Sequence, residues 1–299
     1  MSLPPTHPTQ RGGALPALAL VFNAFVWGVS WWPFRQLDAA GLHPLWATAL
    51  IYALAVVAIT AWRPGSWREL ATTPVLWILV LAAGCTNAAF NWAVTIGDVV
   101  RVVLLFYLMP LWTVLLARWM LHERLGPVAL LRVALALGGA LTVLWPVGGG
   151  WPLPHTLADF LGLLGGFSFA LNNVMLRREA ARSEGARALA MFFGGMAVAT
   201  LLAVLLTARG DIAAPPAAQL PWLLGALTLA VFFLAGNLAL QYGAARLRAN
   251  ATAVIMLTEV LFASASALAL GAGTLDARLA LGGALIIAAS LLAARESAH

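Results

Sequence analysis

An all-α integral membrane fold of ten transmembrane helices, arranged as two inverted five-helix repeats, is what this sequence predicts, and three observations predict it. The first is composition: 62% of the 299 residues are hydrophobic and 9% are charged, with a mean hydropathy of +0.91. That leaves too little polar surface for a soluble domain. The second is segmentation, because apolar stretches near the roughly 20 residues that a bilayer-spanning helix needs recur along the chain. They run over 14–34, 44–62, 74–96, 99–121, 127–145, 157–176, 186–208, 219–242, 250–271 and 277–294. The third is charge. There is no Lys, and Arg gathers in alternate loops, with only Arg35, Arg101, Arg209 and Arg278 on the opposite side. Asp38, Asp98, Asp159, Asp211 and Asp276 occupy the connections on that opposite side one by one.

Taken in order, the stretch 14–34 follows a Pro-rich tail, 1–12, that has no cleavage motif, so it is expected as a retained first helix and not as a removed leader. Pro44, Pro74 and Pro127 stand at the starts of the second, third and fifth stretches, where a first helical turn tolerates a missing N–H. Pro64, Pro146, Pro215 and Pro216 punctuate loops. Trp32, Trp46, Trp62, Trp67, Trp77, Trp145, Trp151 and Trp222 lie near helix ends, where amphipathic rings anchor a protein at the membrane surface. The domains expected are a tail at 1–12, a first repeat at 13–147, an outer linker at 148–156, a second repeat at 157–294 and a tail at 295–299.

The Arg-rich side is cytoplasmic by the positive-inside rule, which with an even helix count puts both termini there. Membrane orientation therefore accounts for the basic isoelectric point of 10.9, and no nucleic acid partner is expected. The single cysteine, Cys85, excludes an intrachain disulfide and a Cys-based metal cluster. No metal or cofactor is expected.

Internal repetition carries the functional expectation. The hexapeptide Ala-Leu-Gly-Gly-Ala-Leu occurs at 136–141 in the fifth stretch and again at 280–285 in the tenth. Asn87, Asn91 and Trp92 in the third line up with Asn237, Gln241 and Tyr242 in the eighth, and Trp27 and Ser30 in the first with Phe169 and Asn172 in the sixth. Two consecutive halves with an odd number of helices enter the membrane from opposite sides. They are then inverted repeats, an architecture that many secondary transporters share, with a substrate site near the midplane.

Polar side chains at bilayer depth are disfavoured by lipid, so they face one another or a watery path. Helices one, three, four, six, eight and nine carry Asn23, Trp27, Ser30, Asn87, Asn91, Trp92, Tyr107, Asn172, Asn237, Gln241, Tyr242 and Glu259. These residues are the expected path, with six helices around it and helices two, five, seven and ten at the periphery. Asn87 with Asn91 and Asn237 with Gln241 are spaced i, i+4, which places each pair on one helix face. Glu259 is the one carboxylate at membrane depth. An intramembrane enzyme is not expected, since all five His residues lie in loops or at helix ends, away from any deep serine.

The runs Trp27-Gly28-Val29-Ser30 and Tyr107-Leu108-Met109-Pro110, the ending Leu121-His122-Glu123, and the Gly-Gly pairs of the fifth and tenth helices resemble the drug/metabolite transporter superfamily with paired EamA-type repeats. Within it the chain is most similar to exporters of the YddG type, which release aromatic and other neutral amino acids from bacteria. The second half departs from the pattern, with Thr258-Glu259-Val260 where the family often has Glu-Pro, and Gly271-Ala272-Gly273-Thr274 where the first half ends in Leu-His-Glu.

The resemblance implies a ten-helix exporter of the bacterial inner membrane with a central cavity. Its expected partners are a small-molecule substrate and the lipid bilayer, with the protein as a monomer. With no Lys and no Arg at the midplane, phosphorylated solutes lack a counter-charge, and neutral or zwitterionic metabolites fit better. The alternative is a proton-coupled small-cation multidrug antiporter working through Glu259.

Overall fold

The computed structural model describes residues 14–121, 126–145, 153–179, 181–217, 219–244, 255–256 and 258–296. The two predicted tails thus fall outside it almost entirely, as do His122, Glu123 and the first part of the outer linker. Among the described residues the secondary structure is helical throughout, and every apolar stretch marked from the sequence holds helix. The helices are α1 (Ala14–Val29), α2 (Trp31–Ala39), α3 (Pro44–Trp62), α4 (Ser66–Thr72), α5 (Leu76–Ile96), α6 (Val99–Phe106) and α7 (Met109–Leu121). After these come α8 (Pro127–Leu144), α9 (Leu157–Arg178), α10 (Glu184–Arg209), α11 (Leu220–Ala244), α12 (Thr258–Ala269) and α13 (Ala277–Glu296). Seven helical segments are long and apolar enough to cross a membrane, and the apolar parts of α8, α12 and α13 are shorter.

Local chemistry explains where these helices begin. Orphan N–H groups at a helix start need acceptors. Asp98 supplies one to Arg101 N and so opens α6. At α9, Thr156 accepts from Asp159 N while the Asp159 carboxylate reaches back to the Thr156 backbone, a reciprocal capping box. Ser183 accepts from Ala186 N at α10, and Asp276 accepts from Leu279 N at α13. Three of the five predicted loop aspartates therefore serve as helix starters. Gly210, with φ of +79°, ends α10 in the left-handed conformation that glycine adopts without strain.

Two predicted helices are broken. The first divides between α1 and α2 at Ser30, whose hydroxyl donates to Trp27 O at 2.8 Å. The fourth divides at Tyr107 and Leu108, two residues before Pro110, which has no N–H to offer Phe106 O. A periodic apolar pattern runs unchanged through both breaks, so hydropathy reads each as one span.

Packing brings distant segments together. The helix α5 lies against α9 and α10, α3 against α10 and α11, α1 against α11 and α12, α6 and α7 against α9, and α8 against α13. The two copies of the repeated hexapeptide meet where α8 crosses α13. A Cβ placed on Gly139 would lie 2.8 Å from Gly282 O, and one on Gly282 would lie 2.9 Å from Gly139 O, so the backbones touch reciprocally. Gly28 does the same for α1 and α12, since a Cβ there would lie 2.8 Å from Glu259 O.

The end-of-helix tryptophans divide into two groups. Trp32, Trp62, Trp77 and Trp145 are exposed, as surface anchors must be. Trp46, Trp67 and Trp222 instead turn inward, with their indole N–H groups on Thr207 Oγ1, Thr60 Oγ1 and Ala217 O. Trp151 lies outside the described residues.

Candidate functional site

A cavity of about 120 Å³ lies at the centre of the bundle. Asn23 and Trp27 reach it from α1, Asn87 from α5, Asn172 from α9, Asn237 from α11 and Glu259 from α12. These six were all predicted for the path, and the fold assembles them from positions more than two hundred residues apart. Among the described residues no basic side chain lines the cavity.

The polar groups are held in fixed orientations. The Tyr52 hydroxyl donates to Asn87 Oδ1 at 2.5 Å, and Asn87 Nδ2 donates to Ala83 O at 2.7 Å. The Tyr107 hydroxyl donates to Glu259 Oε2 at 3.1 Å, so Tyr107 serves the cavity from behind the carboxylate. Asn23 Nδ2 points at Met256 Sδ at 3.6 Å, a weak acceptor. Asn23 Oδ1 and Asn172 Oδ1 are buried without a hydrogen-bond partner, although the two residues are only 1% and 2% exposed. Buried polar atoms are seldom left unsatisfied in folded proteins, and where they line a cavity they are available to a solute.

Aromatic rings make the remaining wall. Trp27 stacks on Phe233 at 4.5 Å between centroids with 15° between the planes. Phe106 packs against Phe90 at 4.7 Å and Phe169 at 5.3 Å, and Tyr52 against Phe192 at 5.5 Å. Tyr52, Met191 and Phe192 come from α3 and α10, helices expected at the periphery. The ring of six is thus corrected: the second and seventh helices border the cavity too. One signal for Tyr52 was in the chain, since it is one of just three tyrosines and sits in mid-helix.

Several predicted path residues lie elsewhere. Asn91 donates to Thr48 Oγ1 at 3.1 Å between α3 and α5, fully buried and one turn beyond the cavity. Trp92 packs edge-on against His43, whose imidazole burial holds below its ordinary pKa. Ser30 faces a separate, largely apolar hollow of about 650 Å³ between α1, α2 and α11. Tyr242 is half-buried and is not among the cavity-lining side chains, and the Gln241 side chain lies outside the described residues.

Beyond the cavity the two ends of the bundle differ. At one end, Arg101 forms a two-pronged ion pair with Asp159, at 2.7 and 3.1 Å, and donates to Val143 O. Asp98 Oδ2 takes the Thr274 N–H at 2.7 Å, and Val99 N donates to Ala272 O. Arg35 donates to Val94 O and Gly97 O and lies 5.2 Å from the Trp31 ring. At the other end a groove of about 230 Å³ runs beside Trp62, Arg63 and Glu184, and it shares Phe192 and Asn237 with the central cavity.

Comparison with known proteins agrees with this architecture. The uncharacterized transporter PA0485 of Pseudomonas aeruginosa is 30% identical over 146 residues, 46% of this chain and 48% of the relative, so the match spans about half the length of each. A solved crystal structure, 17% identical, aligns with a TM-score of 0.53 over 94% of this chain and 98% of the other, a likeness of fold. With seven helices long and apolar enough to span a bilayer, the chain is a multi-pass membrane protein whose residues 14–145 match the EamA-like transporter family.

Proposed function

We propose that the protein is a secondary transporter that exports small neutral or zwitterionic metabolites, aromatic and other amino acids among them, by alternating access through the central cavity. The observation that carries this reading is the convergence of Asn23, Asn87, Asn172, Asn237, Trp27 and Glu259 from both halves of the chain on one buried hollow that has no basic group among the described residues. Amides offer both a donor and an acceptor to a zwitterion, and aromatic faces suit a ring. Among these lining residues a phosphorylated solute would find no counter-charge.

Ten spans in two inverted five-helix repeats, in a bacterial inner membrane with both termini cytoplasmic, complete the proposal. The packing supports the repeats. Exchanging the halves turns the α1–α11 pair into α9–α5 and the α3–α11 pair into α10–α5, and it maps the α8–α13 crossing onto itself. The test is uptake by sealed liposomes of labelled amino acids and organic cations. Flux of a neutral amino acid down its own gradient, without an imposed pH gradient, is expected, and flux of none of the panel would defeat the reading.

A second reading, a proton-coupled small-cation antiporter, is favoured by one observation. The unpartnered buried atoms at the cavity, Asn23 Oδ1 and Asn172 Oδ1, are acceptors, and they share it with the Glu259 carboxylate. Concentrative cation movement driven by a pH gradient alone, and lost in Glu259→Gln, would select this reading over amino acid export.

A further inference from the structure

We propose that Phe192, flanked by Asn237, is the gate through which the central cavity communicates with the groove at the Arg63 and Glu184 end of the bundle. The inference rests on the transport reading for its purpose but not for its geometry. The two hollows are lined by different residues except at Phe192 and Asn237, which border both, so these two side chains are the wall between them. The Phe192 ring is 6% exposed and inclined 41° to the Tyr52 ring.

Tyr52 cannot easily follow a movement of Phe192. Its hydroxyl is bonded to Asn87, its ring meets that of Phe233 edge-on at 6.2 Å between centroids, and it lies against Gly195, where a side chain would collide with it. The movement that would join the hollows is therefore a turn of Phe192 about its own side-chain bonds, against a fixed neighbour. A lone apolar ring in a narrow neck excludes water while it stands across the opening, which is how hydrophobic constrictions close a path.

No comparable single-residue partition exists at the other end among the described residues. There, solute would have to pass the packed rings of Phe90, Phe106 and Phe169, and then the Arg101–Asp159 pair.

Thiol accessibility in detergent micelles tests the gate without any substrate. In a Cys85→Ala background, Ala83→Cys places a thiol at the cavity wall, and a charged methanethiosulfonate reports how fast water-borne reagent reaches it. Phe192→Ala should raise the labelling rate at least about tenfold by populating the open path. Phe192→Trp should lower it, while Phe106→Ala should change it less than about twofold. An equal or larger effect from Phe106→Ala, or no change with Phe192→Ala in protein that elutes as a single species, would overturn the proposal. If Phe192→Ala does not fold, Phe192→Trp decides alone: slower labelling supports the gate and an unchanged rate overturns it. Because labelling needs no flux, failed liposome transport with a positive labelling result defeats the transport reading and leaves the gate standing. Intact transport with a negative labelling result defeats the gate and leaves transport.

Discussion

The two ends of the bundle are closed by different physics. The Arg101 end is bolted, with a buried ion pair, a backbone carbonyl and the Asp98–Thr274 contact tying α6 to α8, α9 and the connection before α13. The Arg63 end is shut by a ring over a neck, and outside that ring α4 is tied to the start of α10 through Glu69. Glu69 takes the Ser183 N–H at 3.1 Å and the Ser183 hydroxyl at 2.5 Å in an exposed position. Directed charge pairs hold one geometry or none, whereas a ring on a pivot passes between positions at little energetic expense. A transporter that must release solute on one side first needs this inequality.

Removing the bolt has the largest expected effect. Asp159 is 1% exposed and Arg101 15%, so Asp159→Ala strands a nearly buried guanidinium and should destabilise the protein by about 3 kcal/mol, read as a lower melting temperature in detergent. An unchanged melting temperature would mean that the apolar packing around α6 closes that end by itself. Next comes Gly282→Leu, which drives a side chain into the α13 crossing with α8 and should cost about 2 kcal/mol or more. Gly138→Leu, which has open space and only a 3.8 Å neighbour in Leu285, should be far milder, and equal effects would refute the reciprocal contact.

A smaller effect separates cavity from seal on a single helix. Asn87→Leu should lower liposome flux about tenfold, because it removes a lining amide, and should cost about 1–3 kcal/mol of stability, because it strands the buried Tyr52 hydroxyl. Asn91→Leu should leave flux within about twofold of wild type, and stability within about 1 kcal/mol, since it deletes the Thr48 bond together with an unpartnered oxygen. The reverse ranking would move the path to the α3–α5 interface.

The smallest effect belongs to Glu69. Its hydrogen bonds from Ser183 hold its carboxyl below the ordinary 4.5. A depressed folded value makes the latch stabilising above that pH and loses the contribution as pH falls through the folded value. Glu69→Gln should therefore lower stability slightly at pH 7, by less than about 1 kcal/mol for so exposed a contact, read as a small drop in melting temperature that is smaller still at the acid end. A gap that widens in acid would contradict the assignment.

Much of this was legible in the chain because hydropathy and charge report depth and side directly. Asn23, Asn87, Asn172, Asn237 and Glu259 stand out, since amides and carboxylates are rare in apolar stretches and must find one another. Asn91 misled for a geometric reason: four residues along a helix preserve the face but advance about 6 Å along the axis. That step carries it out of the cavity and level with Thr48. Phe192 was hidden because an aromatic residue in an apolar helix looks like any other core residue until the neighbouring hollow is known, and the one mark that set Tyr52 apart was its hydroxyl. The breaks at Ser30 and Tyr107 were hidden as well, because both halves of each helix remain apolar.

The α8–α13 crossing has a mechanical consequence. Where helices meet through interlocked side chains, changing the angle between them lifts knobs out of holes and sacrifices packing. At Gly139 and Gly282 the backbones approach each other directly, and the buried Ile286 and Val143 side chains seat on those two glycines more closely still. A turn about that point would lift Val143 and Ile286 from their glycine seats, so the crossing behaves as a clasp: stiff against separation and rotation alike, and placed where the last helices of the two halves of the chain meet.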